Sequence, residues 1–197
     1  MKVIGMCGGS GSGKGVACSF FAELGIRIID TDKVYHTITS SDTECMKELS
    51  SVFGTAIIEN GKLNRKALAD IVFSSRDRLK LLNSITHKHI LSEVRRIINR
   101  YQKEGATGVI VDAPLLFESG FDKECDATLA ICASTETRIS RIIKRDNISK
   151  EMAIKRIQSQ KRDEWLKMTC DYYIDNDSTT DNLKSEVYEI AKKIFDI

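Results

Sequence analysis

The sequence has a single proline, a single tryptophan and no long apolar run. No apolar stretch approaches the ~20 residues of a membrane-spanning helix. The stretch after Lys2 ends at Gly8, which is too early for a signal peptide. Charge of one sign is not in excess either, since 30 basic and 28 acidic residues leave a net charge of +2. Proteins that bind nucleic acid or membrane surfaces usually carry a one-sided excess. We therefore expect a cytoplasmic protein with neither kind of partner.

Cysteine pairs at metal-binding or redox spacing are also absent. No two of the six cysteines are spaced as in a CxxC motif, so the spacing predicts neither a zinc site nor a redox pair. Free cysteines are mostly small buried hydrophobic residues, and such usage suits a reducing cytosol. We expect that role for all six cysteines, which are Cys7, Cys18, Cys45, Cys125, Cys132 and Cys170.

What the sequence does contain is the pattern of an α/β protein. Short apolar runs lie between longer amphipathic stretches, which is typical of a parallel sheet covered by helices on both faces. A chain of 197 residues fits one such core with an inserted subdomain. The pattern predicts a five-stranded parallel sheet with strands at residues 2–7, 26–30, 108–113, 127–132 and 172–175.

The segment between the second and third strands interrupts this alternation. Ser41 and Glu44 form a capping box that opens a helix. Asn60-Gly61 marks a turn, and a long helical pattern then runs over residues 76–103. Because this segment has no strand of the central sheet, we predict a mostly helical insertion.

Residues 8–15 read Gly-Gly-Ser-Gly-Ser-Gly-Lys-Gly and lie between the first predicted strand and a helical run. They fit G-x-x-x-x-G-K in the strand–loop–helix setting of a phosphate-binding loop (P-loop). The glycines let successive backbone N–H groups turn toward phosphate oxygens, and the helix N-terminus adds positive potential. Lys14 supplies an ammonium for the β- and γ-phosphates. The motif predicts a bound nucleoside triphosphate.

One position departs from the motif. A Ser or Thr is expected after Lys14, because its hydroxyl ligates Mg²⁺. Here Gly15 and Val16 follow, and neither can ligate a metal through its side chain. Three explanations stay open: water replaces the ligand, the loop binds nucleotide but turns it over poorly, or the residue has been engineered.

Three acidic residues are predicted at the carboxyl ends of strands, where open α/β sheets bind their ligands. Phosphoryl transfer needs one carboxylate to accept the acceptor's proton and another to hold the metal or its waters. Asp32, just past the second strand, is our candidate base. Asp112, after Val-Ile-Val, resembles an acid that holds Mg²⁺ through water, with a turn or capping role as the alternative. Asp30 is expected to be structural.

The stretch after the fourth strand is helical and very basic. Ser134 and Ser149 are the predicted N-caps of two helices. Arg138, Arg141 and Arg145 lie at i, i+3 and i+7, hence on one helix face. A run of this kind is usually a solvated face, but the spacing favours a lid that closes over ATP and brings arginine to the transferring phosphoryl group.

Taken together, these features resemble those of bacterial dephospho-CoA kinases over nearly the whole length of the chain. The most distinctive similarity is Pro114-Leu115-Leu116-Phe117-Glu118, a motif that generic P-loop kinases lack. The other similar segments are residues 8–14, 24–32, 61–65, 82–83 with His87, Arg141, Arg145-Asp146, Gln160 and 174–176. Lys88 departs from the family pattern, which has proline after the histidine.

The resemblance implies transfer of the ATP γ-phosphate to the ribose 3′-hydroxyl of dephospho-CoA, with Mg²⁺. It implies a P-loop kinase fold with a core of residues 1–31, 106–133 and 168–197, a helical CoA-binding insertion at 32–105 and a helical lid at 134–167. The catalytic residues would be Asp32, Lys14 and Arg141. The ATP contacts would be Gly9, Gly11, Ser12, Gly13, Lys14, Gly15, Val16, Arg145 and, near the adenine, Asn176. The substrate contacts would be Asp32, Arg65, His87, Leu116 and Glu118.

Two other functions remain open from the sequence. One is a kinase of another small acceptor, such as a nucleoside monophosphate or a sugar, against which residues 114–118 and the long insertion speak. The other is a regulatory protein that senses ATP without turnover, which Gly15 keeps open. We expect a monomer or a weak homo-oligomer.

Overall fold

The protein is described by a computed structural model, which covers residues 1–40 and 43–197. In the described part of the chain, no helix is long and apolar enough to span a membrane. Short 3₁₀ turns lie at Thr55–Ile57 and Phe121–Glu124. The strands and helices, in chain order, are β1 (Lys2–Cys7), α1 (Lys14–Glu23), β2 (Arg27–Asp30), α2 (Thr31–Ile38), α3 (Glu44–Phe53), β3 (Ile58–Glu59), β4 (Lys62–Leu63), α4 (Arg65–Val72), α5 (Arg76–Lys103), β5 (Gly108–Asp112), β6 (Ala127–Cys132), α6 (Thr135–Asp146), α7 (Lys150–Gln158), α8 (Asp163–Thr169), β7 (Tyr172–Asp175) and α9 (Thr180–Phe195).

The central sheet confirms the predicted α/β class. Five strands form a parallel sheet in the order β2-β5-β1-β6-β7. Each of the five predicted strands is present, and two are one residue shorter than expected, since Ile26 precedes β2 and Ala113 follows β5. The strands read as apolar runs because helices cover both faces and little of a strand meets water. Strand β1 lies at the centre, between β5 and β6, and so carries the loop that follows it to the middle of one sheet edge.

The chain divides into two compact units, one of residues 1–29 with 100–197 and the other of residues 30–99. In the first unit, α1 and α9 pack on the sheet, and the rings of Phe21 and Phe195 meet edge to face with centroids 6.4 Å apart. Burial of large apolar side chains of this kind is the main favourable term in folding.

The unit of residues 30–99 has its own apolar cluster, which includes Leu49, Ile57, Leu68 and Ile85. Strands β3 and β4 form a separate antiparallel hairpin whose turn is the predicted Asn60-Gly61. The predicted capping residue Ser41 lies outside the described residues. Helix α3 is capped instead by Thr43, whose hydroxyl accepts a hydrogen bond from the Met46 amide at 3.2 Å.

The basic stretch after β6 folds into three helices, α6, α7 and α8. Ser134 and Ser149 cap α6 and α7 as predicted, each accepting an amide N–H from the first turn at 3.3 Å. Asn147, with φ of 51°, ends α6 in the left-handed conformation that asparagine tolerates. The role of this stretch as a lid stays a prediction.

Candidate active site

The loop of residues 8–14 joins β1 to α1. Gly13 caps α1 with φ of 99°, and α1 has neither a side-chain cap nor an acidic residue in its first turn. The first amides of such a helix can bind an anion, although the Val16 amide already donates to the Gly13 carbonyl at 3.0 Å. The Lys14 ammonium donates to the Gly8 carbonyl across the loop, with Nζ and O 2.9 Å apart. Ser12 is fully buried, and its hydroxyl has no hydrogen-bond partner among the described residues. The arrangement is a preformed concavity of donors, as an anion site requires.

Two predicted nucleotide-binding residues lie against this loop. Asn176 is only 5% exposed, and its amide Nδ2 donates to the Ser12 carbonyl at 2.7 Å. The Arg141 guanidinium lies 3.3 Å from the Gly11 carbonyl and 3.4 Å from that of Ser12. A Cβ at Gly13 would come within 2.1 Å of Asn176 Nδ2, so glycine is required there by space as well as by φ. Contact of Asn176 with adenine stays a prediction.

Arg138 has a different place from the one its helix-face spacing indicates. It is only 3% exposed, so it does not lie on the open face of a lid. Its guanidinium donates to the Ser10 carbonyl at 2.9 Å, to Gln160 Oε1 at 2.8 Å and to Asp163 Oδ1 at 2.8 Å. Gln160 in turn bonds both the amide and the hydroxyl of Ser10. A Cβ at Gly9 would overlap Arg138 Nη2 at 1.9 Å, so this glycine admits the guanidinium. Arg138, Gln160 and Asp163 form what we call the loop clamp.

Arg145, the third arginine of the predicted face, is exposed and pairs with the next residue in the chain. Its guanidinium makes two hydrogen bonds with the neighbouring Asp146 carboxylate, at 2.7 and 2.9 Å, and Arg156 bonds the same carboxylate. Arg145, followed by Arg156, lowers the pKa of Asp146 to about 2. Of the three arginines, only Arg138 and Arg141 touch the loop, and the ATP contact predicted for Arg145 stays a prediction.

A cavity of about 350 Å³ opens beside the loop. Lys161 Nζ lies 3.3 Å from Glu118 Oε1, and it also sits 4.1 Å from the centre of the Trp165 ring. Leu116, predicted to contact substrate, is fully buried and packs against Gly5. In the segment 114–118, Leu116 therefore belongs to the core, while the other four residues line the cavity. The cavity is lined by Cys7, Gly8, Gly9, Pro114, Leu115, Phe117, Glu118, Ser159, Gln160, Lys161 and Leu166.

The predicted metal-handling residue, Asp112, ends β5 and is paired in register with Met6 of β1. Its Oδ2 lies 4.0 Å from Cys18 Sγ on α1. No group of three metal-ligating side chains occurs in the described ranges. Mg²⁺ is commonly held by only one or two carboxylates, waters and the substrate's phosphates, so a site with Asp112 as its carboxylate fits this ion. Gly15 is exposed, and a side chain there would meet no atom within 4 Å.

In the unit of residues 30–99, Asp32 lies in the first turn of α2 with its side chain exposed. Asp30 caps the same helix by accepting the Lys33 amide at 3.0 Å, the structural role expected for it. Arg65 begins α4 and contacts His36 of α2, with Nη2 and Nδ1 2.7 Å apart. His87 is half-buried on α5. Lys88, where the family pattern has proline, lies within the continuous helix α5. Its Nζ lies 2.7 Å from Glu48 Oε2, so the departure from the pattern is accommodated by an ion pair.

Sequence reasoning missed several residues of this site. The sequence places Arg138 and Lys161 among the basic residues of the predicted lid, and it gives Ser159 and Asp163 no role. Two signals lie near them: the similarity at Gln160, and the glycines at positions 9 and 11, since glycine marks places where a neighbour approaches closely.

The sheet order, the loop and the flanking helices define the class as a P-loop kinase. The chain has the fold of a shikimate kinase from Bacteroides thetaiotaomicron, with a TM-score of 0.53 at 16% identity, covering 98% of this chain and 97% of that one. A structure of dephospho-CoA kinase from Campylobacter jejuni is more similar, with a TM-score of 0.72 at 25% identity over 98% and 97% of the two chains.

The family follows from sequence. The model of the dephospho-CoA kinase family matches residues 2–182. Dephospho-CoA kinase of Fusobacterium nucleatum is 36% identical over 195 residues, which are 98% of this chain and 99% of that protein. The Bacillus cereus enzyme is 36% identical over 192 residues, 97% and 96% of the two chains. The chain belongs to the dephospho-CoA kinase family, a family of coenzyme A biosynthesis, and the resemblance stated from the sequence is confirmed.

Proposed function

We propose that this protein transfers the γ-phosphoryl group of ATP to the ribose 3′-hydroxyl of dephospho-CoA in the cytoplasm. The observation that carries the proposal is the cavity beside Gly8 and Gly9, one wall of which is the segment 114–118. A phosphate-binding loop and the family's most distinctive motif thus line one space. That juxtaposition suits a donor phosphate held next to its acceptor.

Asp32 is the proposed general base. It follows β2, a strand of the same sheet as β1, and ligands of such sheets bind at the carboxyl ends of the strands. An exposed carboxylate on the first turn of a helix is free to accept the proton of a substrate hydroxyl. The 3′-oxygen then attacks the γ-phosphorus, and ADP leaves with the electrons of the broken bond.

Charge on the phosphates is balanced by the loop. We assign the contacts to the amides of Gly9, Gly11, Ser12, Gly13, Gly15 and Val16, with the Lys14 ammonium exchanging its bond to the Gly8 carbonyl for phosphate oxygens. Arg141 lies at the loop and supplies a further positive charge as negative charge shifts to the leaving group. Bound Mg²⁺, held through Asp112 and water, would supply a Lewis acid for the phosphate oxygens.

The acceptor contacts that we propose are Glu118 in the cavity and Arg65 with His87 in the unit of residues 30–99. Leu116 supports the cavity from the core rather than lining it. Residues 134–167 are proposed to act as a lid in which Arg145 turns from Asp146 to ATP. Lid closure would exclude the water that otherwise hydrolyses ATP.

The test is an assay of ADP release with and without dephospho-CoA, across a series of Mg²⁺ concentrations. We expect ADP release to depend on dephospho-CoA and on Mg²⁺, and the product to carry phosphate at the 3′ position. A nucleoside monophosphate and shikimate serve as control acceptors. Equal release with either control would replace the proposed acceptor, and tight ATP binding without any release would indicate a regulatory protein.

A further inference from the structure

Two of the six cysteines lie side by side beneath the phosphate loop. Cys7 is the last residue of β1 and directly precedes Gly8, while Cys170 directly follows α8 as its C-cap. Their Sγ atoms are 3.6 Å apart. They are separated by 163 positions in the chain, so no spacing motif could have indicated the pair.

We propose that Cys7 and Cys170 form a redox modification site, at which a peroxide converts the two thiols to a disulfide and thereby weakens triphosphate binding by the adjacent loop. The effect on binding rests on the proposed function, because ATP is taken as the loop's ligand. Formation of the disulfide is independent of that function.

A small oxidant has a route to this pair. Cys7 lines the cavity of about 350 Å³ together with Gly8, Gly9 and Pro114. Cys170 keeps 9% of its surface exposed. A peroxide is only slightly larger than water, so the cavity admits it as far as Cys7, and Cys170 Sγ lies 3.6 Å from Cys7 Sγ.

The pair also has one sulfur suited to react first. Either thiol can donate the hydrogen bond between the two sulfurs; with Cys7 as the donor, the bond lowers the pKa of Cys170 although burial opposes this. The same bond, together with burial, raises the pKa of Cys7. Because the thiolate is the nucleophile, Cys170 is the attacking residue and Cys7 the resolving one.

The chemistry balances with one peroxide. The Cys170 thiolate attacks a peroxide oxygen, the O–O bond breaks, and the leaving hydroxide takes a proton to become water. Cys170 is then a sulfenic acid. The Cys7 sulfur attacks Cys170 Sγ and loses its proton, and the hydroxyl on that sulfur leaves as a second water. Two thiols lose two electrons, and the peroxide is reduced to two waters.

Closure of the bond draws Cys170 and Cys7, the residue that precedes the loop, toward each other. A disulfide has an S–S distance of about 2.05 Å, so the 3.6 Å gap has to shorten considerably. Cys7 is joined directly to Gly8, whose carbonyl orients Lys14. Misplacement by about 1 Å can cost a catalytic site ~100-fold in rate, and a displaced loop also loses the alignment of its donors with the phosphate oxygens. We therefore expect the oxidised loop to bind ATP about tenfold more weakly or worse.

The experiment uses the full chain, first reduced and then treated with hydrogen peroxide. Trypsin releases Cys7 in residues 3–14 and Cys170 in residues 168–184, each the only cysteine of its peptide. Mass spectrometry without reduction therefore identifies the link. Calorimetry measures ATP affinity before oxidation, after it, and after dithiothreitol. Cys170→Ala removes the attacking sulfur, and Cys132→Ala, a buried cysteine at the end of β6, is the matched control.

We expect the 3–14 and 168–184 peptides to be linked in the wild type and in Cys132→Ala, with ATP affinity lost on oxidation and restored by dithiothreitol. Cys170→Ala should keep its affinity under peroxide. Oxidation of Cys125 without the link overturns the proposal, as does a link that leaves ATP affinity unchanged. If Cys170→Ala does not fold, the link and its reversal in the wild type decide. Failure of the reduced protein to bind ATP would refute the proposed function instead.

Discussion

The two compact units carry their charged site residues in opposite ways. In the unit of residues 1–29 and 100–197, Arg138 is buried and bonded to Ser10, Gln160 and Asp163. In the unit of residues 30–99, Asp32 and Arg65 are exposed. A buried charge has lost its hydration, so it depends on its partners to replace that stabilisation. An exposed charge is still hydrated, so removal of a partner costs little free energy. The loop clamp should therefore fix geometry and stability together, while Asp32 and Arg65 should affect ligands with little effect on folding.

The largest expected effect is on kcat, and it comes from the exposed residue Asp32. Asp32→Asn removes the proposed base, and general-base catalysis contributes about 10²–10⁴-fold to rate. We expect kcat to fall by that order, while the ATP dissociation constant and the unfolding midpoint stay unchanged, because the phosphate loop belongs to the other unit. Steady-state kinetics, calorimetry and denaturant unfolding measure the three quantities.

The control is Asp70→Asn, which neutralises another exposed carboxylate of the same unit. It should leave all three quantities near their wild-type values. A wild-type kcat in Asp32→Asn would remove Asp32 as the base, and a lowered unfolding midpoint would show that its side chain has a structural role.

The loop clamp gives the second prediction. Arg138→Met leaves Asp163, whose side chain is 14% exposed, without its nearest cation. Breaking a buried ion pair costs about 3–5 kcal/mol, so the free energy of unfolding should fall by that order. ATP affinity should fall as well, because Ser10 loses a donor to its carbonyl. Denaturant unfolding and calorimetry measure the two effects.

Lys144→Met, on the exposed face of the same helix, is the matched control, and such surface changes usually stay within about 0.5 kcal/mol. Arg138→Met with Asp163→Leu should recover part of the lost stability, because no carboxylate is then left without its cation, and only part because the Ala133 amide loses the Asp163 oxygen that accepts its hydrogen bond. Equal effects of the Arg138 and Lys144 substitutions would contradict the clamp.

Features of the phosphate-loop unit and its sheet differ in how far the sequence predicts them. The five strands, the phosphate loop and the caps at Ser134 and Ser149 depend on local patterns, and each was predicted. The loop clamp depends on contacts between residues 22 to 150 positions apart, such as Gln160 with Ser10. Helical spacing placed Arg138 on the same face as Arg141, but spacing does not report burial.

At two further places the structure adds what the sequence could not predict, and again the reason is that a local pattern does not report packing. The hydroxyls of Ser41 and Thr43 lie close in sequence and are chemically similar, so the pattern could not say which one caps α3. In the segment after β5, Leu115 and Leu116 are adjacent and equally apolar, and a turn has no period that would indicate which one is buried. Only packing against Gly5 separates them.

The third prediction concerns Gly15, at the first turn of α1. A Cβ there meets no atom within 4 Å, so Gly15→Ser is free of steric cost. Its hydroxyl should replace one water on Mg²⁺ and lower the Mg²⁺ concentration needed for half-maximal activity severalfold. Gly15→Ala is the control, because both variants should gain about 0.5–1 kcal/mol of stability from the loss of glycine's freedom.

Only the serine variant should shift the Mg²⁺ titration of ADP release. A shift of the same size in Gly15→Ala would assign the effect to the helix rather than to the metal. An unaltered titration in Gly15→Ser would show that water already serves at this position.

The smallest expected effect is on stability, at the C-terminal end of α6, where the charge pairs are exposed. Arg145 holds the pKa of Asp146 at about 2, below its value in an unfolded chain. A carboxyl whose folded pKa is depressed stabilises the fold above its unfolded pKa, near 4, and loses that contribution as the pH falls toward about 2. Asp146→Asn should therefore be slightly less stable than the wild type at pH 7, and the difference should shrink below pH ~4. Denaturant midpoints at pH 7 and across the acid range measure this, with the exposed Asp181→Asn as control.

Because ATP would compete with Asp146 for Arg145 in a closed lid, ATP should reduce the difference at pH 7. A difference independent of ATP would mean that Arg145 stays on Asp146 and is not a nucleotide contact.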